Sequence, residues 1–236
     1  MAMIDLSAAE RLSGLTTRIV HAADLARRDA AAIELIAISK TRSADEIAPL
    51  IAAGQRSFGE NRVQEAQQKW PALREATPGL VLHLVGQLQS NKALDAVELF
   101  DAIHSVDRPS LVAALARAMS ATGRQPDCYL QVNIGAEPQK GGCEVAALGA
   151  LLAEARAAGL PVVGLMCVPP AEVEPAPYFA LLADLAKRHG LSRLSMGMSE
   201  DFETAVMIGA TCVRVGTALF GVRDRPSPAL DGGKPG

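Results

Sequence analysis

From Ile33 onward the chain alternates a short apolar run with a longer amphipathic stretch, eight times over. The runs fall at 33–39, 56–60, 80–86, 100–106, 127–134, 161–168, 192–197 and 211–216. Most are unbroken apolar runs, which suits parallel strands covered on both faces. Helical periodicity marks 43–53, 61–76, 107–121, 144–158, 175–189 and 200–208. Ser43 with Glu46 three residues on predicts a capping box. Gly54, Gly123, Gly159, Gly190 and Gly209 each follow a helical stretch, where a left-handed residue is wanted. Repeated strand–helix units of this kind predict an α/β fold, a single (β/α)8 TIM barrel. An open doubly wound sheet is the second reading, weakened because no G-x-G-x-x-G follows the first run. Residues 7–30 predict an extra helix before the barrel.

The 236 residues are 49% hydrophobic and 21% charged, enough for one domain with its own core and too apolar for disorder. Residues 1–223 are expected to form the barrel, and 224–236, rich in Pro and Gly, a flexible tail. A net charge of −3 and 3% aromatics argue against a nucleic-acid partner. No apolar run approaches the ~18 residues of a membrane span. The start MAMIDLSAAERLSGL lacks the apolar centre of a signal peptide, so a cytoplasmic location is expected. Cys128, Cys143, Cys167 and Cys212 form no C-x-x-C pair and read as buried, reduced thiols. No metal site is expected from them or from the scattered histidines.

Barrel sites lie where the strands end. The first run ends in Ser39-Lys40-Thr41, which predicts that the Lys40 amine faces the mouth beside apolar walls. Desolvation there favours the neutral amine that condenses with an aldehyde. A solvated lysine is the bland alternative. The last two runs end in SMGMSED and RVGTALFG, where barrels often bind phosphate. Gly197 and Gly216 leave room, and Ser199 and Thr217 supply hydroxyls. Ordinary turns with Ser199 as a helix cap explain the same residues. A phosphorylated aldehyde satisfies both features together, and pyridoxal 5′-phosphate (PLP) is one. Strand alternation turns Arg214 inward, opposite Val213 and Val215.

The motifs AISKT (37–41), FGENRVQE (58–65), HLVGQLQSNK (83–92), HSVDR (104–108), LSMGMSEDFETAV (194–206) and VRVGTALFG (213–221) resemble the YggS/PROSC family of PLP-binding proteins. The similarity spans about residues 10–223. It implies the barrel of the alanine racemase N-terminal domain without that enzyme's second domain. It further implies a PLP carrier in PLP and amino-acid homeostasis, with no accepted reaction. Lys40 matches the Schiff-base lysine, holding PLP as an internal aldimine. Gly197, Met198, Ser199, Gly216 and Thr217 match the phosphate turns, and Arg214 the arginine near the pyridine nitrogen. Asn61 and His83 fall in motifs around the cofactor. Gln87 and Phe202 depart from the pattern, where His or Pro and Met are usual. Free amino acids and PLP-dependent apoenzymes are the implied partners, and a monomer is expected. Two enzyme readings compete: a PLP-dependent amino-acid racemase, and an aldolase using Lys40 on a sugar phosphate. Racemisation needs a second acid/base facing the lysine, and Tyr129 and Tyr178 are poorly placed for it. Met196 and Met198 read as packing residues, Glu60 and Glu65 as either an acid/base pair or a solvated helix start, and Lys140 as an exposed loop residue. The acidic run 200–203 reads as first-turn charge.

Overall fold

The structure, a computed structural model, describes residues 6–221. Eight strands lie where the apolar runs predict them: β1 Glu34–Ile38, β2 Ser57–Glu60, β3 Val81–Leu84, β4 Ala102–Val106, β5 Asp127–Gln131, β6 Val162–Met166, β7 Arg193–Ser195 and β8 Cys212–Val215. They pair in sequence order, all parallel, and β8 closes on β1. Closure rules out the open doubly wound sheet. The expected tail, 224–236, lies outside the described residues.

The helices are α1 Ala8–Leu25, α2 Ala44–Ala52, α3 Val63–Ala76, α4 Ala93–Leu99, α5 Pro109–Thr122, α6 Leu148–Ala157, α7 Ala176–Arg188, α8 Phe202–Ile208 and α9 Thr217–Phe220. The Ser43–Glu46 capping box forms as the sequence predicts. The five glycines after helical stretches all take positive φ. Three elements differ, one of them the 4-residue α9, which follows the last predicted stretch and has no side-chain cap. α1 stops at Leu25 instead of reaching residue 30, because Arg27 turns left-handed and the Asp29 carboxylate accepts the Ala31 N–H to start a new 3-10 turn. α4 has no counterpart in the sequence reading. It is only 7 residues long, is entered through a 3-10 turn, and lacks a side-chain cap, so nothing local announces it.

The main core lies between strands and helices, with Phe58 against Trp70 at 5.1 Å between ring centroids. Burying each such side chain contributes about 1.5–3 kcal/mol. α1 adds Leu15, Ile19, Ala22 and Ala23 to that layer and is tied to α8 by the Arg18–Glu203 ion pair. The barrel interior is a separate, smaller apolar cluster of Ile36, Ala102, Tyr129, Met166 and Cys212. His83, His104, Ser195 and Arg214 are also buried.

At Gly164 on β6 an added Cβ would collide with the Arg193 backbone of β7. Gly164→Ala should therefore destabilise the protein by at least about 1–3 kcal/mol. Gly14, on the exposed side of α1, has open space around it. Gly14→Ala should stabilise by about 0.5–1 kcal/mol. Urea denaturation of the two variants checks the opposite signs.

Candidate functional site

Closing β8 on β1 makes β7, β8, β1 and β2 four consecutive staves. The turns that follow them carry Gly197–Ser199, Gly216–Thr217, Lys40 and Asn61, so these predicted residues share one sector of the mouth. Asn61 is held close to β3's end: a Cβ on Gly86 would collide with the Asn61 backbone. Lys40 is exposed rather than sunk against apolar walls. Its neighbour Thr41 has φ of 60°, a left-handed backbone that costs a β-branched residue about 1–3 kcal/mol.

That turn is held from α3. Lys69 Nζ donates to the Ser39 carbonyl at 2.8 Å and the Arg42 carbonyl at 3.0 Å, one on each side of Lys40-Thr41. The Thr41 N–H donates to Glu65 Oε1 at 2.5 Å. Glu60 Oε1 receives the Ser39 hydroxyl at 2.6 Å and the Trp70 indole N–H at 3.0 Å, and lies 2.8 Å from Lys69 Nζ. Glu60 is fully buried, which corrects its reading as part of a solvated helix start. Glu65 is partly buried and ion-paired to Lys69 at 2.9 Å. Removing one partner of a buried pair costs about 3–5 kcal/mol. Lys69 was not singled out from the sequence. Its i,i+4 spacing to Glu65 is an ordinary surface-helix signal, and its contacts with Ser39, Arg42 and Glu60 arise only on folding.

The β7 turn needs its glycine for internal reasons. Gly197 has φ of +91°, and a Cβ there would sit 2.5 Å from Ala205 Cβ of α8. Gly216 differs. Its φ of −115° suits any residue, and a Cβ would meet Ile38 no closer than 3.4 Å. No close contact within the chain demands a glycine there, and the missing side chain leaves an open cradle beside Ile38. Ser199 is not the helix cap. Asp201 occupies that position, and its Oδ1 accepts the Met198 N–H at 2.5 Å. Met196 is buried as expected, but Met198 is 38% exposed and not a packing residue. Lys140 is only partly exposed, bound to the Pro169 carbonyl at 2.8 Å and to Glu137 at 2.6 Å, which corrects its reading as an exposed loop residue.

Arg214 points into the barrel, as alternation predicts. Its Nη1 donates to Ser195 Oγ at 2.6 Å and its Nη2 to the Cys167 carbonyl at 2.8 Å, both neutral partners. His83 is not brought into the mouth. Its Nδ1 lies 3.1 Å from His104 Nε2, and its Nε2 3.3 Å from Glu34 Oε1 at the opposite end of the barrel. His104 Nδ1 lies 2.8 Å from Ser195 Oγ, and its ring stacks on Tyr129 at 4.1 Å. Burial, then His83 and Arg214, hold the His104 pKa well below the usual histidine range. Burial also lowers Arg214 and raises Tyr129. It pushes the Cys128 and Cys167 thiols up to about 12 and those of Cys143 and Cys212 to about 11. All four cysteines are free and buried. A cleft of about 670 Å³, with Glu34, Tyr129 and Arg193 among its lining, opens at the strands' N-terminal ends, away from the mouth. Among the described residues no His/Cys/Asp/Glu group could hold a metal ion, and no helix is long and apolar enough to cross a membrane.

Over residues 16–224 the chain matches the family described as alanine racemase, N-terminal domain. A relative from Pseudomonas aeruginosa, named pyridoxal phosphate homeostasis protein, is 42% identical over 228 residues, 94% of this chain and 98% of the relative. PipY of Synechococcus elongatus, solved with PLP bound, has a TM-score of 0.79 at 41% identity, covering 91% of this chain and 100% of PipY. Alanine racemase from Bacillus anthracis shares the fold, with a TM-score of 0.63 at 17% identity; the match covers 91% of this chain and 57% of the racemase.

The neutral, buried His104 predicts a pH dependence. Its folded pKa is depressed below 6.5, so below that pH the unfolded chain binds more protons than the folded one. Stability should be full above pH 6.5 and fall as pH drops below it, by up to about 1.4 kcal/mol per unit. The carboxylates held low, Glu34 and Glu65 among them, add their loss only below pH 4.5. Urea melts between those two limits check this, and His104→Gln should flatten the slope.

Proposed function

The chain belongs to the family of the alanine racemase N-terminal domain, and within it to the pyridoxal phosphate homeostasis proteins; on that premise we propose that it binds PLP at the barrel mouth and serves PLP and amino-acid homeostasis without catalysing a reaction. One observation carries the reading: the closure of β8 on β1 sets the Lys40 turn beside the Gly216 cradle. The residues fit the cofactor. An amine, a side-chain-free cradle and a buried guanidinium bonded only to neutral groups suit an aldehyde, a phosphate and a ring nitrogen in turn.

When bound, the cofactor supplies an aldehyde carbon for an amine and a ring that withdraws electrons. Lys40 offers the amine, and Lys69, Glu60 and Glu65 hold its turn. Gly197, Met198, Ser199, Gly216 and Thr217 surround the phosphate. Backbone N–H groups at the start of a helix have no intrahelical acceptor, and α9 begins at Thr217. Arg214 meets the ring nitrogen as a donor, since a guanidinium cannot accept a hydrogen bond. Asn61 borders the same mouth, whereas His83 lies beneath it.

The exposure of Lys40 favours a carrier over a racemase, because an accessible amine suits exchange of the cofactor better than protected carbanion chemistry. A racemase also needs a second acid/base opposite the lysine. Tyr129 is buried against His104, and Tyr178 lies on α7 outside the barrel. Free amino acids and PLP-dependent apoenzymes are the partners this reading names, for a cytoplasmic monomer.

Two outcomes follow from these assignments. Lys40→Ala should lose the visible absorbance of the PLP-loaded protein and resist trapping by borohydride; reduction that tags another lysine would reassign the site. Pyridoxal without phosphate should bind orders of magnitude more weakly than PLP, since each hydrogen bond to a charged group contributes about 1.5–3 kcal/mol. Titration with the two aldehydes measures the ratio, and equal affinities would remove the phosphate site.

A further inference from the structure

A row of polar side chains crosses the barrel interior beneath the mouth. Arg214 on β8, Ser195 on β7, His104 on β4, His83 on β3 and Glu34 on β1 follow one another at 2.6, 2.8, 3.1 and 3.3 Å. The first four are 5%, 0%, 0% and 3% exposed, so water cannot satisfy them. Glu34 also accepts the Ser57 hydroxyl at 2.6 Å and reaches the cleft at the far end.

The donors and acceptors give the row a direction. A guanidinium only donates, so Ser195 Oγ accepts from Arg214. The single serine proton is then directed at His104 Nδ1, which accepts. A neutral ring carries one proton, so that of His104 sits on Nε2 and is donated to His83 Nδ1. His83 in turn carries its proton on Nε2, which lies 3.3 Å from the accepting Glu34 carboxylate, near enough for electrostatic attraction but outside hydrogen-bond geometry. The opposite direction would make Ser195 accept twice and turn its proton away from both partners. It would also leave the bare His83 Nε2 facing the Glu34 carboxylate, or require a second proton and hence a charged histidine in the same buried row as Arg214, which is costly without close pairing.

We infer that Ser195, His104 and His83 form one directed hydrogen-bond relay, with the Glu34 carboxylate at its far end, that positions Arg214. Together with the Cys167 carbonyl, the relay occupies two N–H groups of the guanidinium and leaves the others for an acceptor at the mouth. The four are positioning residues, acting through Arg214. The part concerning a ligand at the mouth rests on the PLP reading above; the direction of the relay does not.

The test has a cofactor-free half and a loaded half. Nitrogen-15 NMR of the histidine rings in the PLP-free protein should show His83 and His104 both neutral, each protonated on Nε2. In Ser195→Ala the signals of both rings should move, although of the two rings Ser195 touches only that of His104. Ser195→Thr, which restores the hydroxyl, should return them. A charged ring, an Nδ1–H form, or a Ser195→Ala change confined to His104 would overturn the relay. In the loaded half, Ser195→Ala should weaken PLP binding at least about tenfold and shift its visible absorbance, with rescue by Ser195→Thr. Unchanged binding and absorbance would overturn the positioning role. Absence of PLP binding by the wild-type chain would overturn the functional reading and with it the ligand role of Arg214, while the ring protons would still decide the relay.

Discussion

The pairing of β8 with β1 places everything else at the mouth. Its register, from Glu34 opposite Cys212 to Ala37 opposite Val215, joins strands that lie at opposite ends of the described chain. The ladder removes both open edges of the sheet. It also sets the Lys40 turn next to the turn that contains Gly216. An open sheet of the same eight strands would leave these two turns on opposite edges. Contacts from the N-terminal segment brace this closure: Arg11 of α1 reaches the Leu219 carbonyl at 2.6 Å, and Arg28, just past α1, reaches that of Ala210 at 2.8 Å, so the segment is fastened over the last βα unit.

The barrel uses its two faces differently. Outward side chains of the strands join helix residues in one large apolar layer, which supplies most of the burial. The interior instead carries a polar row, and polar groups taken out of water cost free energy unless they are hydrogen-bonded. Hydrogen bonds of 2.6, 2.8 and 3.1 Å from Arg214 to His83 offset most of that cost, and the Glu34 carboxylate 3.3 Å from His83 Nε2 offsets part of the rest by charge. A partly satisfied row would be worse than an apolar filling. Ser195 is therefore as consequential as the charged residue it holds.

A second polar cluster lies outside the barrel wall, where β2 meets α3. Glu60, Lys69 and Glu65 there hold Thr41 in a left-handed conformation and fix the backbone on both sides of Lys40. The exposed lysine is thus carried on a backbone secured by buried ion pairs. That arrangement sets an exposed amine on a backbone held from α3, which suits the proposed reversible attachment of a ligand.

Much of this was legible in the chain itself. Apolar runs at regular intervals, Ser43 with Glu46, and glycines closing the helices are local signals, and each reflects what a few neighbouring residues do alone. They determined the strands, most helices and the strand ends where Lys40, Gly197 and Gly216 stand. The inward face of Arg214 followed from the two-residue period of a strand. α4 escaped because it is short and uncapped, so packing of Ala93, Ala96 and Val97 makes it helical rather than propensity. The tertiary structure alone decided the burial of Glu60, the exposure of Lys40, the grip of Lys69 and the place of His83. Partners 21 to 91 residues apart, such as His83 with His104 and His104 with Ser195, share no spacing a local pattern could reveal. They meet because the barrel turns alternate residues of different strands into one narrow interior, where low polarity makes each group depend on the next.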